Sequence, residues 1–76
     1  MKTLNKVKPG EAVSIVRLDS EGAIRRRLLD LGLTPNTRVM VRKTAPLGDP
    51  IELSLRGYEL TIRAEDAQKV IVDGIT

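Results

Sequence analysis

The chain has 76 residues, of which 41% are hydrophobic and 30% are charged, and its formal net charge is +3. It contains no cysteine and no histidine, which excludes disulfide bonds, thiolate chemistry and the commonest ligands of transition metals. The sequence has neither a long apolar run nor the apolar region of a secretory signal. We therefore expect one cytoplasmic domain over residues 1–76, with no insertion into a membrane.

Alternation of apolar and polar residues with a period of two dominates the chain and predicts short strands. The first long strand is predicted over residues 11–18, and the later ones over 38–43, 51–56, 59–63 and 70–72. Short strands joined by tight turns are typical of a small, partly closed antiparallel barrel, because closure covers edges that would otherwise be exposed.

One helix is predicted after the first long strand, over residues 21–31. Ile24, Leu28 and Leu31 follow the spacing i, i+4, i+7 and predict a single buried stripe. Leu29 lies about 140° from Ile24 around the helix axis. It therefore either packs against a flanking element or faces a partner.

The ends of this helix also have sequence signals. Asp19-Ser20 offers an N-cap. Gly32 is placed as the left-handed residue of a Schellman ending, with Leu33 able to contact Leu28. A second, short helical turn is predicted over residues 64–69, before the last strand.

The last hairpin is predicted to turn at Gly57-Tyr58, because glycine at the first central position fits a type II′ turn. A two-residue loop there fixes the register of the two strands. The outward side chains then pair as Arg56 with Glu59, Ser54 with Thr61, and Glu52 with Arg63. Both charge pairs are complementary, which favours this register.

Four short segments stand in a distinctive order and spacing, namely residues 26–33, 34–37, 45–51 and 56–58. Together they resemble the ferrous-iron transport protein A (FeoA) family. The resemblance covers residues 4–72 and implies an SH3-like barrel, with the helix inserted after the first long strand and the short helical turn before the last. One departure is Asn36, where family members usually have glycine, and asparagine tolerates the left-handed conformation needed there.

The resemblance also implies a function. Members of the family are small accessory or regulatory proteins of ferrous-iron uptake that contact FeoB, a membrane transporter with a cytoplasmic GTPase domain. We therefore expect a protein partner, no cofactor, no enzymatic activity, and a location at the inner membrane only through that partner. The same domain ends some metal-dependent repressors, so a stand-alone relative of that domain is an alternative. Strand edges of an incomplete barrel leave weak self-association open.

The candidate partner-binding residues lie on the helix and on the proline-rich loop that follows the second long strand. Outward arginines suit an acidic surface, and a loop stiffened by prolines loses little entropy on binding. The predicted set is Arg25, Arg26, Leu29, Asp30, Pro46 and Leu47. The alternative is a solvated helix face with Arg26–Asp30 as an i, i+4 ion pair.

Other chemistries have weaker signals. Glu65-Asp66 is the one adjacent acidic pair. It could offer oxygen ligands to a hard cation, but compensation of a helix dipole is the favoured explanation, and no metal site is expected. No phosphate-binding glycine loop and no positioned catalytic base are present. The main rival class is a small nucleic-acid-binding barrel. A single tyrosine and no other aromatic residue argue against base stacking, so no nucleic acid is expected.

Overall fold

Six antiparallel strands form one sheet in the computed structural model of the protein, which describes residues 1–74. They are β1 (Lys2–Thr3), β2 (Ala12–Leu18), β3 (Arg38–Thr44), β4 (Ile51–Leu55), β5 (Tyr58–Ile62) and β6 (Val70–Gly74). Their order in the sheet is β1-β6-β2-β3-β4-β5. This is the partly closed antiparallel barrel that the period-two pattern predicts.

Helical segments connect some of these strands. A 3₁₀ turn (Leu4–Lys6) follows β1, α1 (Gly22–Asp30) stands between β2 and β3, and α2 (Ala64–Ala67) precedes β6. Both helices lie where the sequence predicts them. Within residues 1–74, no helix has the length and apolarity needed to cross a bilayer.

The core consists of apolar side chains on the inward face of the sheet, joined by two leucines from α1 and the segment after it. In β4, Ile51, Leu53 and Leu55 are buried while the residues between them are half-buried, as the period of two requires. The largest side chains with less than 2% exposure are Leu4, Val13, Ile15, Leu28, Leu33, Val39, Val41, Leu53, Val70 and Val72.

The turn between β4 and β5 differs from the prediction. Leu55 lies opposite Tyr58, so the central residues of the turn are Arg56 and Gly57, with φ of 49° and 84°. Positive φ at both positions defines a type I′ turn. The predicted register is therefore wrong by two residues. Because a shift of two keeps every side chain on its face, the inward apolar set is unchanged.

The outward charges consequently find other partners. The predicted pairs Arg56–Glu59 and Glu52–Arg63 are not formed. Instead both acids reach back to β3. Arg42 Nε lies 3.5 Å from Glu59 Oε2, and Lys43 Nζ lies 3.6 Å from Glu52 Oε2.

α1 ends as its sequence predicts. The N–H of Leu33 donates to the carbonyl of Leu28 at 3.1 Å, and the N–H of Gly32 donates to the carbonyl of Leu29 at 2.9 Å. Gly32 has φ of 99°. These two bonds and the left-handed glycine are the Schellman ending.

α1 begins differently from the prediction. Its N-cap residue is Glu21, which makes no side-chain capping bond, so the expected cap from Asp19-Ser20 is wrong. Ile24, predicted to lie in the buried stripe, is 41% exposed. The reason is that only the last turn of α1 reaches the core: residues 22–27 are exposed, whereas Leu28 is fully buried.

Candidate functional site

The outer face of α1 presents the predicted arginines to solvent. Arg25, Arg26 and Leu29, together with Gly22, line a shallow cleft of about 260 Å³. Both arginines are exposed, whereas Leu29 is half-buried and packs against the core. Among the ion pairs within residues 1–74, none joins Arg26 to Asp30, so both charges remain available to a partner.

The base of α1 is tied to α2 by an ion pair. Arg27 Nη2 lies 2.6 Å from Asp66 Oδ2, and the Asp66 side chain is only 11% exposed. The sequence suggested that Asp66 would compensate a helix dipole. Nothing local could have revealed the contact, because the partners are 39 positions apart.

The connection between α1 and β3 is held from outside by the tip of the β4–β5 hairpin. Arg56 Nη2 donates to Thr34 Oγ1 at 3.0 Å and to Thr37 Oγ1 at 2.9 Å. The Tyr58 hydroxyl donates to the carbonyl of Leu31. Tyr58, predicted as a residue of the hairpin turn, thus binds the end of α1 by a hydrogen bond. We call these three bonds the clasp.

The same connection contains a tight turn. The N–H of Thr37 donates to the carbonyl of Thr34 at 3.2 Å, and Asn36 has φ of 70°. Pro35 at the second position and a left-handed third residue define a type II turn. The expectation that Asn36 can replace glycine here is confirmed.

The loop between β3 and β4 presents one leucine. The N–H of Gly48 donates to the carbonyl of Ala45 at 2.7 Å, closing a β-turn whose second residue is Pro46, as turns of this kind favour. Leu47, the third residue, is 95% exposed. Pro46 also lines a cleft of about 320 Å³, separate from the one on α1.

The predicted partner-binding residues therefore fall into two groups. Arg25, Arg26 and Leu29 share the α1 cleft, and Pro46 lines the loop cleft, while Asp30 and Leu47 line neither of these two. Sequence reasoning missed the exposure of Ile24. It lines a groove of about 370 Å³ between α1 and α2, and its helical spacing gave no sign of this.

No set of ligands for a metal ion is assembled in the described part of the chain. Residues 1–74 contain no group of three or more acidic side chains placed to hold one. The two acids of the Glu65-Asp66 pair have different partners. Asp66 forms an ion pair with Arg27, and Glu65 Oε1 lies 3.7 Å from Arg63 Nη1.

The barrel and its inserted helix place the protein among SH3-like domains. FeoA of Stenotrophomonas maltophilia, solved in complex with zinc and described as a procaryotic SH3 domain protein, superposes with a TM-score of 0.84 at 23% identity, over 96% of this chain and 91% of that one. At this identity the likeness establishes the fold alone.

The family follows from the sequence itself. The model of the FeoA domain matches residues 2–74, and the chain therefore belongs to the FeoA family, which is associated with ferrous-iron transport. An FeoA-like protein from Clostridium acetobutylicum is 33% identical, with a TM-score of 0.91 and coverage of 99% of this chain and 87% of that one.

A longer relative joins two functions in one polypeptide. The Fe(2+) transport protein A/Fe(2+) transporter FeoB fusion protein of Porphyromonas gingivalis is 33% identical over 73 residues, which are 96% of this chain. The chain spans 9% of the length of that fusion protein.

Proposed function

We propose that residues 1–76 form one cytoplasmic accessory domain of ferrous-iron uptake, which acts by binding an FeoB-type membrane transporter and carries out no catalysis of its own. The observation that carries this proposal is the fusion of a similar domain to FeoB in Porphyromonas gingivalis. The partner's GTPase domain, on the cytoplasmic side, is the part that such a domain would contact.

Covalent fusion supports a physical association because a linker raises the effective concentration of one module near the other. Such a linkage is useful only if the two modules act on each other. A separate chain of the same family must reach the same surface by its own affinity.

The docking surface that we propose consists of the outer face of α1 and the turn at Pro46-Leu47. Leu47 is 95% exposed, and Arg25 and Arg26 stand on a helix whose far end is fixed by the Schellman ending and the clasp. A fixed helix loses little conformational entropy on binding, so its contacts contribute more fully to affinity.

The contributions of the apolar residues differ from those predicted from sequence. Leu29 is half-buried and packs on the core, so it shapes the α1 cleft more than it anchors a partner. Ile24, 41% exposed, and Leu47 are the apolar groups that a partner can cover. Arg25 and Arg26 then steer the approach of an acidic surface.

The test is direct binding of the purified chain to the FeoB-type transporter of its own organism, reconstituted in lipid nanodiscs. Leu47→Asp is expected to weaken binding by about tenfold or more, as loss of an apolar anchor does. Arg26→Glu is expected to weaken it about fivefold and mainly to slow association. Arg17→Glu, which makes the same charge change at an exposed position on β2, is the matched control.

Two results would contradict the proposal. If the wild-type chain does not bind the transporter, the proposed accessory function is wrong. If the wild type binds and the folded variants Leu47→Asp and Arg26→Glu bind equally tightly, the proposed docking surface is wrong, although the transporter remains the partner.

A further inference from the structure

The outer face of β3 and β4 carries a second surface, which shares no residue with the proposed docking surface. It is a groove of about 310 Å³, which we call the arginine groove. Its lining residues are Arg38, Met40, Arg42, Ser54, Leu55 and Arg56.

Short side chains surround the middle of this groove. Met40 lies opposite Ala12 on β2 and opposite Ser54 on β4, and Arg38 lies opposite Ser14. Residues directly opposite on one face are close neighbours. The half-buried Met40 therefore lies between Arg38 and Arg42 along β3, with small residues opposite it on both neighbouring strands.

The groove has an excess of positive charge. Within residues 1–74, neither Arg38 nor Arg56 takes part in an ion pair. Arg42 does pair with Glu59, at 3.5 Å, but both side chains are about half exposed. An exposed pair of this kind is weak, so a bound anion can compete with Glu59 for Arg42.

Two of the three arginines are positioned by the fold. One nitrogen of Arg56, Nη2, makes both bonds to Thr34 and Thr37, which fixes the plane of the guanidinium and leaves its other N–H groups without an acceptor in the described chain. Arg42 lies at a register shift between Val41 and Lys43. Such bulges redirect side chains.

The backbone of Arg56 is also unusual. Its φ of 49° falls in a turn position that favours asparagine, aspartate or glycine. A residue with a poor backbone preference at such a position indicates that its side chain is needed. The two threonine bonds use only part of that side chain.

We propose that the arginine groove binds an acidic peptide segment of a partner chain, with carboxylates on Arg38 and Arg56 and an aliphatic side chain on Met40. The planar fork of a guanidinium matches a carboxylate, and a methionine adapts to varied aliphatic groups. No aromatic residue lines the groove, so it lacks the ring surfaces on which single-stranded bases usually stack. The inference stands independently of the transporter.

The test uses ¹⁵N-labelled full-length chain and the peptide acetyl-Glu-Leu-Asp-Glu-Leu-Glu-amide, with the isosteric Gln/Asn peptide as its neutral counterpart. The acidic peptide is expected to shift the amide resonances of residues 38–42 and 54–57, while the neutral one does not. Rising salt concentration should weaken the binding of the acidic peptide, because salt screens charge contacts that are exposed to solvent.

Single substitutions separate the groove from general surface charge. Arg38→Gln is expected to weaken peptide binding about two- to fivefold, in the range measured for exposed ion pairs. Arg56→Asn should weaken it at least as much, and asparagine suits the turn, so the hairpin survives. Arg17→Gln removes the same charge from an exposed site outside the groove and should leave the affinity unchanged.

Four outcomes with the peptides would overturn the inference. They are equal shifts with the neutral peptide, shifts that map to α1 instead of the groove, equal weakening by Arg17→Gln, and no shift up to the solubility limit of the peptide. Tighter binding of a thymidine oligonucleotide to the same amides would also overturn it, in favour of a phosphate-backbone surface. Each outcome leaves the transporter-binding experiment unaffected, so the two proposals fail separately.

Discussion

Two connections of similar length lead into neighbouring strands, yet they are held very differently. Residues 31–37, between α1 and β3, carry a Schellman ending, a type II turn and the three bonds of the clasp. Residues 45–50, between β3 and β4, are closed by two backbone bonds. At the centre of the second connection Leu47 is 95% exposed.

The difference shows which parts of the barrel are held in place by hydrogen bonds and which are exposed to solvent. Fixing the end of α1 orients the helix, so that its exposed first turns project from a rigid base. The loop instead offers an apolar side chain that contributes nothing to the core. Stability and partner binding should therefore respond to different substitutions in the two regions.

The largest expected contrast is between two leucines. Leu28→Ala removes a fully buried side chain at the base of α1 and should lower the free energy of unfolding by about 3 kcal/mol. Leu47→Ala, in the open loop, should change it by less than about 0.5 kcal/mol. Urea denaturation followed by far-UV circular dichroism measures both values. Similar losses for the two variants would mean that the loop is packed, contrary to its exposure.

A smaller contrast compares two left-handed glycines. Gly32 and Gly48 have φ of 99° and 83°, so alanine at either costs about 1–2 kcal/mol in backbone strain. A Cβ at Gly32 would also collide with the Tyr58 hydroxyl, whereas one at Gly48 meets nothing within 4 Å. Gly32→Ala should therefore destabilise the fold by about 1 kcal/mol more than Gly48→Ala, since it also displaces the clasp bond to Leu31.

The hydroxyl itself can be tested by a double-mutant cycle. In a Tyr58→Phe background the obstructing oxygen is gone. Gly32→Ala should therefore destabilise the fold by about 1 kcal/mol less than it does in the wild type, while the effect of Gly48→Ala is unchanged. Strict additivity of Gly32→Ala and Tyr58→Phe would show that the collision does not govern the helix end.

The fixed connection was also the one best predicted from sequence, because its signals are local. Gly32 followed by Leu33 marks a Schellman ending within one helical turn, and Pro35-Asn36 marks a type II turn within four residues. Each conformation depends on the chemistry of the residues that adopt it. The clasp could not be predicted, since it joins these residues to a hairpin about 20 positions later.

The hairpin and the helix face show the opposite limit. Arg56 takes a turn position that favours asparagine or glycine. The sequence therefore predicted a turn one residue later, and the predicted strand pairing was wrong by two residues. Ile24 follows the helical spacing of a buried residue, but the core does not extend far enough to cover it. The tertiary structure decides both cases. Arg56 is held by its bonds to Thr34 and Thr37. Ile24 is left exposed because only the last turn of α1 reaches the core.

A third connection, residues 7–11 before β2, combines backbone hydrogen bonds with one charged side chain. The Gly10 N–H donates to the carbonyl of Val41 at 2.7 Å, and the Glu11 N–H donates to the carbonyl of Lys8 at 3.0 Å. Glu11 Oε1 accepts the Lys8 N–H at 2.9 Å, and Glu11 Oε2 lies 3.2 Å from Lys2 Nζ. The backbone bond from Lys8, and then the ammonium of Lys2, lower the pKa of Glu11 below its ordinary value. A carboxyl whose pKa falls on folding stabilises the fold at pH values above its unfolded pKa, and that contribution is lost as the pH falls through the folded pKa.

Glu11→Gln is therefore expected to have the smallest effect, a modest loss of stability near neutral pH that disappears in acid solution. The wild type should lose stability progressively below about pH 4.3, the ordinary range of a glutamate, and Glu11→Gln should lose less over the same window. Urea midpoints measured from neutral to acid pH test this, with Glu21→Gln as the control, because Glu21 makes no capping bond at α1. If both variants reduce the fall of the urea midpoint at acid pH to the same extent, then the general charge of the protein, and not the Glu11 contact, causes the acid sensitivity. If only Glu11→Gln does so, the Glu11 carboxylate adds to the backbone bonds that hold this connection, whereas the clasp at residues 31–37 involves no carboxylate.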